Sequence, residues 1–188
     1  MVMITTAIKL VIAEAIFLFL CLACFATSLA SNVWWLSNTA DKKTTLGLWK
    51  TCVEMHDTTN CSNRKNILSF KDERGGDPII LCLVLSIFFT LLTVDISFGM
   101  VCCCKKSLHL WQRCVKWNAV LGIIAVISSV DAMLYSEFEF KKLLQKGERG
   151  WSYMVALAGT GLQMIGYVLL FCQLCIKTYM PIDRMHAW

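Results

Sequence analysis

The chain has 188 residues, of which 57% are hydrophobic and only 16% charged, with a formal net charge of +5. Soluble domains carry roughly 25% charged residues, so this composition excludes an ordinary soluble fold and makes lipid the solvent for most of the chain. The bases are dispersed beside apolar stretches and form no long run, which excludes a nucleic-acid partner and reads as a positive rim against anionic lipid.

The first apolar stretch, 7–30, is long enough for a bilayer core, which takes about 20 helical residues. Lys9, the apolar run and Ser28-Leu29-Ala30 also fit a secretory signal and its cleavage site. The run exceeds the roughly 7–15 residues of a signal core and contains Glu14, so an uncleaved transmembrane helix is expected.

A polar loop follows over 31–77. Asn32-Val33-Trp34-Trp35, turn material at 38–43 and Leu46-Gly47-Leu48-Trp49-Lys50-Thr51-Cys52 predict short antiparallel strands. Trp34 and Trp35 read as anchors at the headgroup level, and Trp49 as buried beside a disulfide. Of eleven cysteines, only Cys52 and Cys61 lie in this loop. In an oxidising compartment they pair; on the cytosolic side they stay free thiols. Asn60-Cys61-Ser62 fits the N-x-S/T acceptor, making Asn60 a glycosylation candidate and favouring the oxidised alternative.

The second stretch, 78–101, begins at Pro78 with Asp77 as the expected N-cap. Segment 102–116 holds Lys105, Lys106, Arg113 and Lys116 and no acid, as expected of a cytoplasmic loop, which places both termini on the same side. Cys102, Cys103 and Cys104 beside these bases, with Cys172 and Cys175 near the end of the last stretch, are palmitoylation candidates; free apolar thiols are the alternative. With His109 and Cys114 they match no regular zinc spacing.

The third stretch, 117–138, carries Gly122, Ala125, Ser129 and Ala132 as one face of small residues, suited to close packing inside a bundle or against a partner. After a short loop, 139–150, the fourth stretch runs over 151–176, with a shorter stripe at Ser152, Ala156 and Thr160, and a tail over 177–188 that includes Pro181. Glu14, Asp95 and Asp131 fall at membrane depth, where a lipid-facing acid costs roughly 2.5–3.5 kcal/mol. They are expected to face inward as neutral, hydrogen-bonded packing groups or to meet bases on a partner; with no base at similar depth, an ion pathway is disfavoured. His56, His109 and His186 are scattered, and no nucleophile elbow, metal pair or phosphate loop accompanies them, so neither catalysis nor a cofactor is expected.

The loop motif resembles the signature of the claudin, peripheral myelin protein and epithelial membrane protein superfamily. Trp34 or Trp35 matches its first tryptophan, Gly47-Leu48-Trp49 its GLW, and Cys52 with Cys61 its disulfide. The run from Asn32 through Ser37-Asn38-Thr39 to Lys50, with its short interval between tryptophans, is most similar to the epithelial membrane protein branch. Gly150-Trp151-Ser152-Tyr153 is similar to the G-x-S-Y that opens the last helix there, whereas Arg74-Gly75-Gly76-Asp77-Pro78 departs from the claudin pattern.

The resemblance implies an all-α transmembrane fold, a left-handed four-helix bundle capped by a small extracellular antiparallel sheet built mostly from the first loop. It also implies a non-enzymatic plasma-membrane protein that organises membrane or cell contacts and modulates partner membrane proteins or a second copy of itself. Trp34, Trp35 and Trp49 would then supply aromatic contact area, and Lys42 and Lys43 polar specificity. Two alternatives stand beside it: an auxiliary subunit of an ion channel or receptor, as in the superfamily's γ-like branches, and a claudin-type junction protein. The ending Arg184-Met185-His186-Ala187-Trp188 lacks the Ser or Thr of a claudin PDZ-binding tail.

Overall fold

The computed structural model describes residues 2–39, 42–55, 58–63, 76–102, 108–143 and 147–178. Four helices, α1 (Val2–Ala30), α2 (Gly76–Cys102), α3 (Leu108–Leu143) and α4 (Trp151–Thr178), carry the four apolar stretches. Each contains a segment long and apolar enough to cross a membrane, with mean hydropathy from 1.8 to 2.7. The first loop folds into β1 (Trp35–Thr39), β2 (Lys42–Leu46), β3 (Lys50–Met55) and β4 (Thr58–Asn63), and β5 (Glu148–Arg149) precedes α4.

α1 packs most heavily on α4, and α2 on α3; lighter contacts between α1 and α2 and between α3 and α4 close the ring. The small-residue stripes explain the tight side of this packing. Ala125, Ser129 and Ala132 on α3 and Ser152, Ala156 and Thr160 on α4 are all buried, so both stripes are spent inside the bundle. Gly122 faces Tyr167 so closely that a Cβ there would lie 2.4 Å from its ring.

The interior alternates apolar and polar layers. The apolar layer nearer the sheet includes Phe25, Leu83, Met133 and Phe140; the other includes Val11, Leu18, Met100 and Leu170. Between them Gln163 of α4 donates to Ser86 Oγ (3.1 Å) and Thr90 Oγ1 (2.8 Å) of α2 and accepts from Ser129 of α3 (2.7 Å). In lipid such bonds average only about 0.6 kcal/mol each, so they fix the register of the helices more than they stabilise the bundle. Their signal was present in the sequence as Ser86, Thr90, Thr93 and Ser97, spaced four, three and four along one face of α2, all fully buried.

Several boundaries differ from those expected. α3 begins within the segment read as the loop 102–116 and ends within the loop 139–150, because a helix continues past its apolar core through polar residues such as Arg113, Lys116, Glu139 and Lys141. Hydropathy locates the membrane crossing and not the helix ends. α2 begins at Gly76, which puts Asp77 and Pro78 together in its first turn and leaves Asp77 without the N-cap position.

The five strands form one antiparallel sheet in the order β4-β3-β2-β1-β5, four strands from the first loop and one from the second. β1 is thus the strand that joins the loops, pairing Trp35 with Arg149 and Leu36 with Glu148. The sheet sits at the bundle end where α1 finishes and α4 begins.

Candidate functional site: a capped junction and a stapled edge

The residues singled out by the loop motif converge where α1 gives way to β1. The last carbonyls of a helix lack intrahelical partners. Here Ser31 N–H donates to Thr27 O (3.2 Å), Trp34 Nε1 to Ser28 O (3.0 Å) and Trp49 Nε1 to Leu29 O (2.5 Å). Two indoles therefore terminate α1 and hold the start of the sheet over it.

The second loop locks onto the same point. Gly150 N–H donates to Trp34 O (2.8 Å) and Ser152 N–H to Val33 O (3.2 Å), while Ser28 Oγ donates to Ser152 O (2.9 Å) and Ser152 Oγ to Ser31 Oγ (2.6 Å). The glycines of both motifs are explained by this crowding. A Cβ on Gly150 would stand 2.2 Å from Val33 O, and one on Gly47 would stand 2.6 Å from the backbone of Asn32. The GLW and G-x-S-Y patterns are two halves of one backbone-to-backbone joint.

The tryptophans occupy places opposite to those expected. Trp34 and Trp35 are buried, at 0% and 3% exposure, whereas Trp49 is exposed at 36%. Trp35 stacks on Phe140 (5.8 Å between centroids), and Trp34 meets Tyr153 edge-on (6.2 Å). The apolar area beneath the sheet draws both rings in, so neither is a headgroup anchor or available to a partner. Adjacent residues share the interior because Trp34 lies at the helix-to-strand bend, before strand alternation begins at Trp35. Leu48 of the GLW motif is also fully buried.

The opposite edge of the sheet is held differently. Cys52 and Cys61 are direct cross-strand partners of β3 and β4, with Cα atoms 4.1 Å apart, and are joined by a disulfide. That edge buries little: Lys50, Glu54, Met55, Thr58, Thr59, Asn60 and Cys61 are exposed. The Lys43–Glu54 pair (3.7 Å, both about half exposed) crosses β2 to β3 and is worth at most about 1 kcal/mol. Asn60, the glycosylation candidate, lies exposed on the terminal strand β4.

Where β5 leaves α3, Glu137 holds Arg149 (2.5 Å) and Lys141 (3.3 Å), and the Arg149 guanidinium lies 5.6 Å from the Tyr153 ring. The Glu137 carboxylate accepts from Arg149 and raises the arginine's already high pKa, so this link stays charged throughout the physiological range.

The intramembrane acids separate. Glu14 is fully buried and accepts hydrogen bonds from Ser97, Asn118 and Gln173, as expected of a packing group. Asp131 is half-buried, and Asp95 is exposed on the outer face of α2 alongside Leu91 and Phe98. Of the two orientations expected for these acids, inward or toward a partner, Asp95 does not take the inward one. Of the palmitoylation candidates, Cys172 is a free, exposed thiol on α4; Cys103 and Cys104 lie outside the described residues, and the side chains of Cys102 and Cys175 are likewise not described. An apolar groove of about 340 Å³ opens between α3 and α4 beside Gly122 and Tyr167, without polar lining that would select a ligand. Among the described residues no group of three or more His, Cys, Asp or Glu gathers to hold a metal.

Four apolar helices around a polar-layered core, closed at one end by a disulfide-bearing antiparallel sheet, define a claudin-like four-span membrane protein. The model of the PMP-22/EMP/MP20/Claudin family matches residues 6–170, and the chain belongs to that family. No individual curated protein matches it.

Proposed function

We propose that the protein is a non-enzymatic plasma-membrane tetraspan of the epithelial membrane protein branch, with both termini cytoplasmic and the sheet outside. It organises membrane or cell contacts and modulates the trafficking or activity of partner membrane proteins. The observation that carries this reading is the division of the sheet. Its inner edge is consumed by the bundle, while its outer edge presents the exposed, disulfide-joined β3–β4 hairpin. The working surface is therefore Lys43, Lys50, Glu54 and Met55 with the rim of Trp49, and not the two buried tryptophans.

Proximity labelling in the native cell tests it. The wild-type chain enriches a defined set of membrane neighbours, and Lys43→Glu with Met55→Asp removes them while leaving the disulfide formed. Identical neighbours for both chains would refute the assignment. A glycosidase-sensitive mass shift, absent in Asn60→Gln, places the sheet outside.

A second reading, an auxiliary subunit of a channel or receptor, is favoured by Asp95. An acid exposed on the outer face of a membrane-crossing helix is costly against lipid and is relieved by a base or donor on a neighbouring helix. Stoichiometric co-purification of a channel, lost in Asp95→Leu, identifies that role.

A further inference from the structure

Glu14 of α1, Ser97 of α2, Asn118 of α3 and Gln173 of α4 meet in the interior, one from each helix, all at most 3% exposed. Every bond to Glu14 is donated to it. Ser97 Oγ (3.1 Å) and Asn118 Nδ2 (3.3 Å) reach Oε1, and Gln173 Nε2 (3.0 Å) reaches Oε2. Asn118 Nδ2 also donates to Ser97 Oγ at 2.7 Å. None of the ion pairs among the described residues supplies Glu14 with a counter-charge.

The same amides present a surplus of acceptors. Their nitrogens are committed to carboxylate or hydroxyl oxygens, which fixes both amide orientations and leaves Asn118 Oδ1 and Gln173 Oε1 buried with no partner. The Glu14 carboxyl oxygens and two orphaned oxygens on neighbouring groups, with no Lys or Arg among the described buried residues, form a set of hard oxygen donors that is short of positive charge. Oxygen-only sets suit hard cations, and a single carboxylate balances one charge and not two.

We propose that this four-helix junction is a buried binding site for a small monovalent cation of the sodium class, held by the Glu14 carboxylate and the amide oxygens of Asn118 and Gln173. Because the site draws on all four helices, its occupancy tightens the bundle as a whole. It is independent of the role assigned to the sheet's outer edge.

The full-length chain in detergent, followed by its thermal unfolding midpoint at constant ionic strength, tests the site with sodium chloride against N-methylglucamine chloride. Sodium is expected to raise the midpoint saturably, by at least about 3 °C, because a ligand bound only by the folded state stabilises it. Glu14→Gln, which keeps the shape and removes the charge, is expected to abolish the dependence. A midpoint equal in both salts would overturn the proposal, as would a sodium effect retained in Glu14→Gln. A midpoint that follows pH alone would also overturn it, by making a proton the occupant. Should Glu14→Gln not fold, Gln173→Met serves: the apparent sodium dissociation constant is expected to rise about tenfold, corresponding to roughly 1.4 kcal/mol, and no change would refute the site.

Discussion

The two edges of the sheet are built on opposite principles. At the inner edge β1 and β5 are held by packing and backbone bonds: buried indoles, glycines that admit direct backbone contact, and capped helix carbonyls. At the outer edge β3 and β4 bury little, and their six-pair antiparallel ladder is fastened by one covalent bond between directly opposed residues. The lesson is that a loop can be rigid without being consumed. Where a region must be solvent-facing it cannot draw on burial, and a disulfide restricts its unfolded alternatives instead.

The contrast is most sharply broken at Trp34. Trp34→Ala removes a fully buried ring and the cap on Ser28 O, and is expected to cost about 3–5 kcal/mol, detaching the whole sheet and lowering cell-surface yield. Denaturation in mixed micelles, with exchange protection across β1 and β5, measures it. If Trp34→Ala and the disulfide variant destabilise the same residues equally, the two edges are not distinct.

Removing the staple comes next. Cys52→Ser with Cys61→Ser is expected to lose about 2–3 kcal/mol locally, with faster amide exchange over 50–63 and unchanged protection in the helices. Gly150→Ala should cost roughly 1–3 kcal/mol through its clash with Val33 O, visible as loss of β5 protection; Gly99→Ala, where a Cβ meets nothing within 4 Å, is the matched control. The smallest effect is expected for Glu54→Gln, which breaks the exposed pair to Lys43 and should change stability by less than about 1 kcal/mol, while shifting partner binding if the outer edge is the working surface.

These differences bear on what was legible in the residues. The four crossings were readable because hydrophobic length is a direct physical requirement of the bilayer, and the Cys52–Cys61 pairing because those two thiols stand apart from every other cysteine. The burial of Trp34 and Trp35 was not, since an indole is equally at home at a headgroup boundary or in a core. Only the positions of Phe140 and Tyr153, far along the chain, decide between them. The Glu14 junction was half visible: the acid stood out, but Ser97, Asn118 and Gln173 acquire meaning only when four helices bring them to one level. Asp95 was unreadable for the same reason, because its orientation depends on which face of α2 meets α3.

The length of α3 has a consequence for where the sheet stands. At 36 residues it measures about 54 Å along its axis, well beyond a hydrocarbon core of roughly 30 Å. Even at a generous tilt such a rod emerges from the bilayer, and β5 follows only a few residues after its end. Of that excess, nine residues (108–116) precede the apolar stretch and five (139–143) follow it, so the sheet stands little more than one helical turn beyond the apolar core, close to the polar boundary of the bilayer.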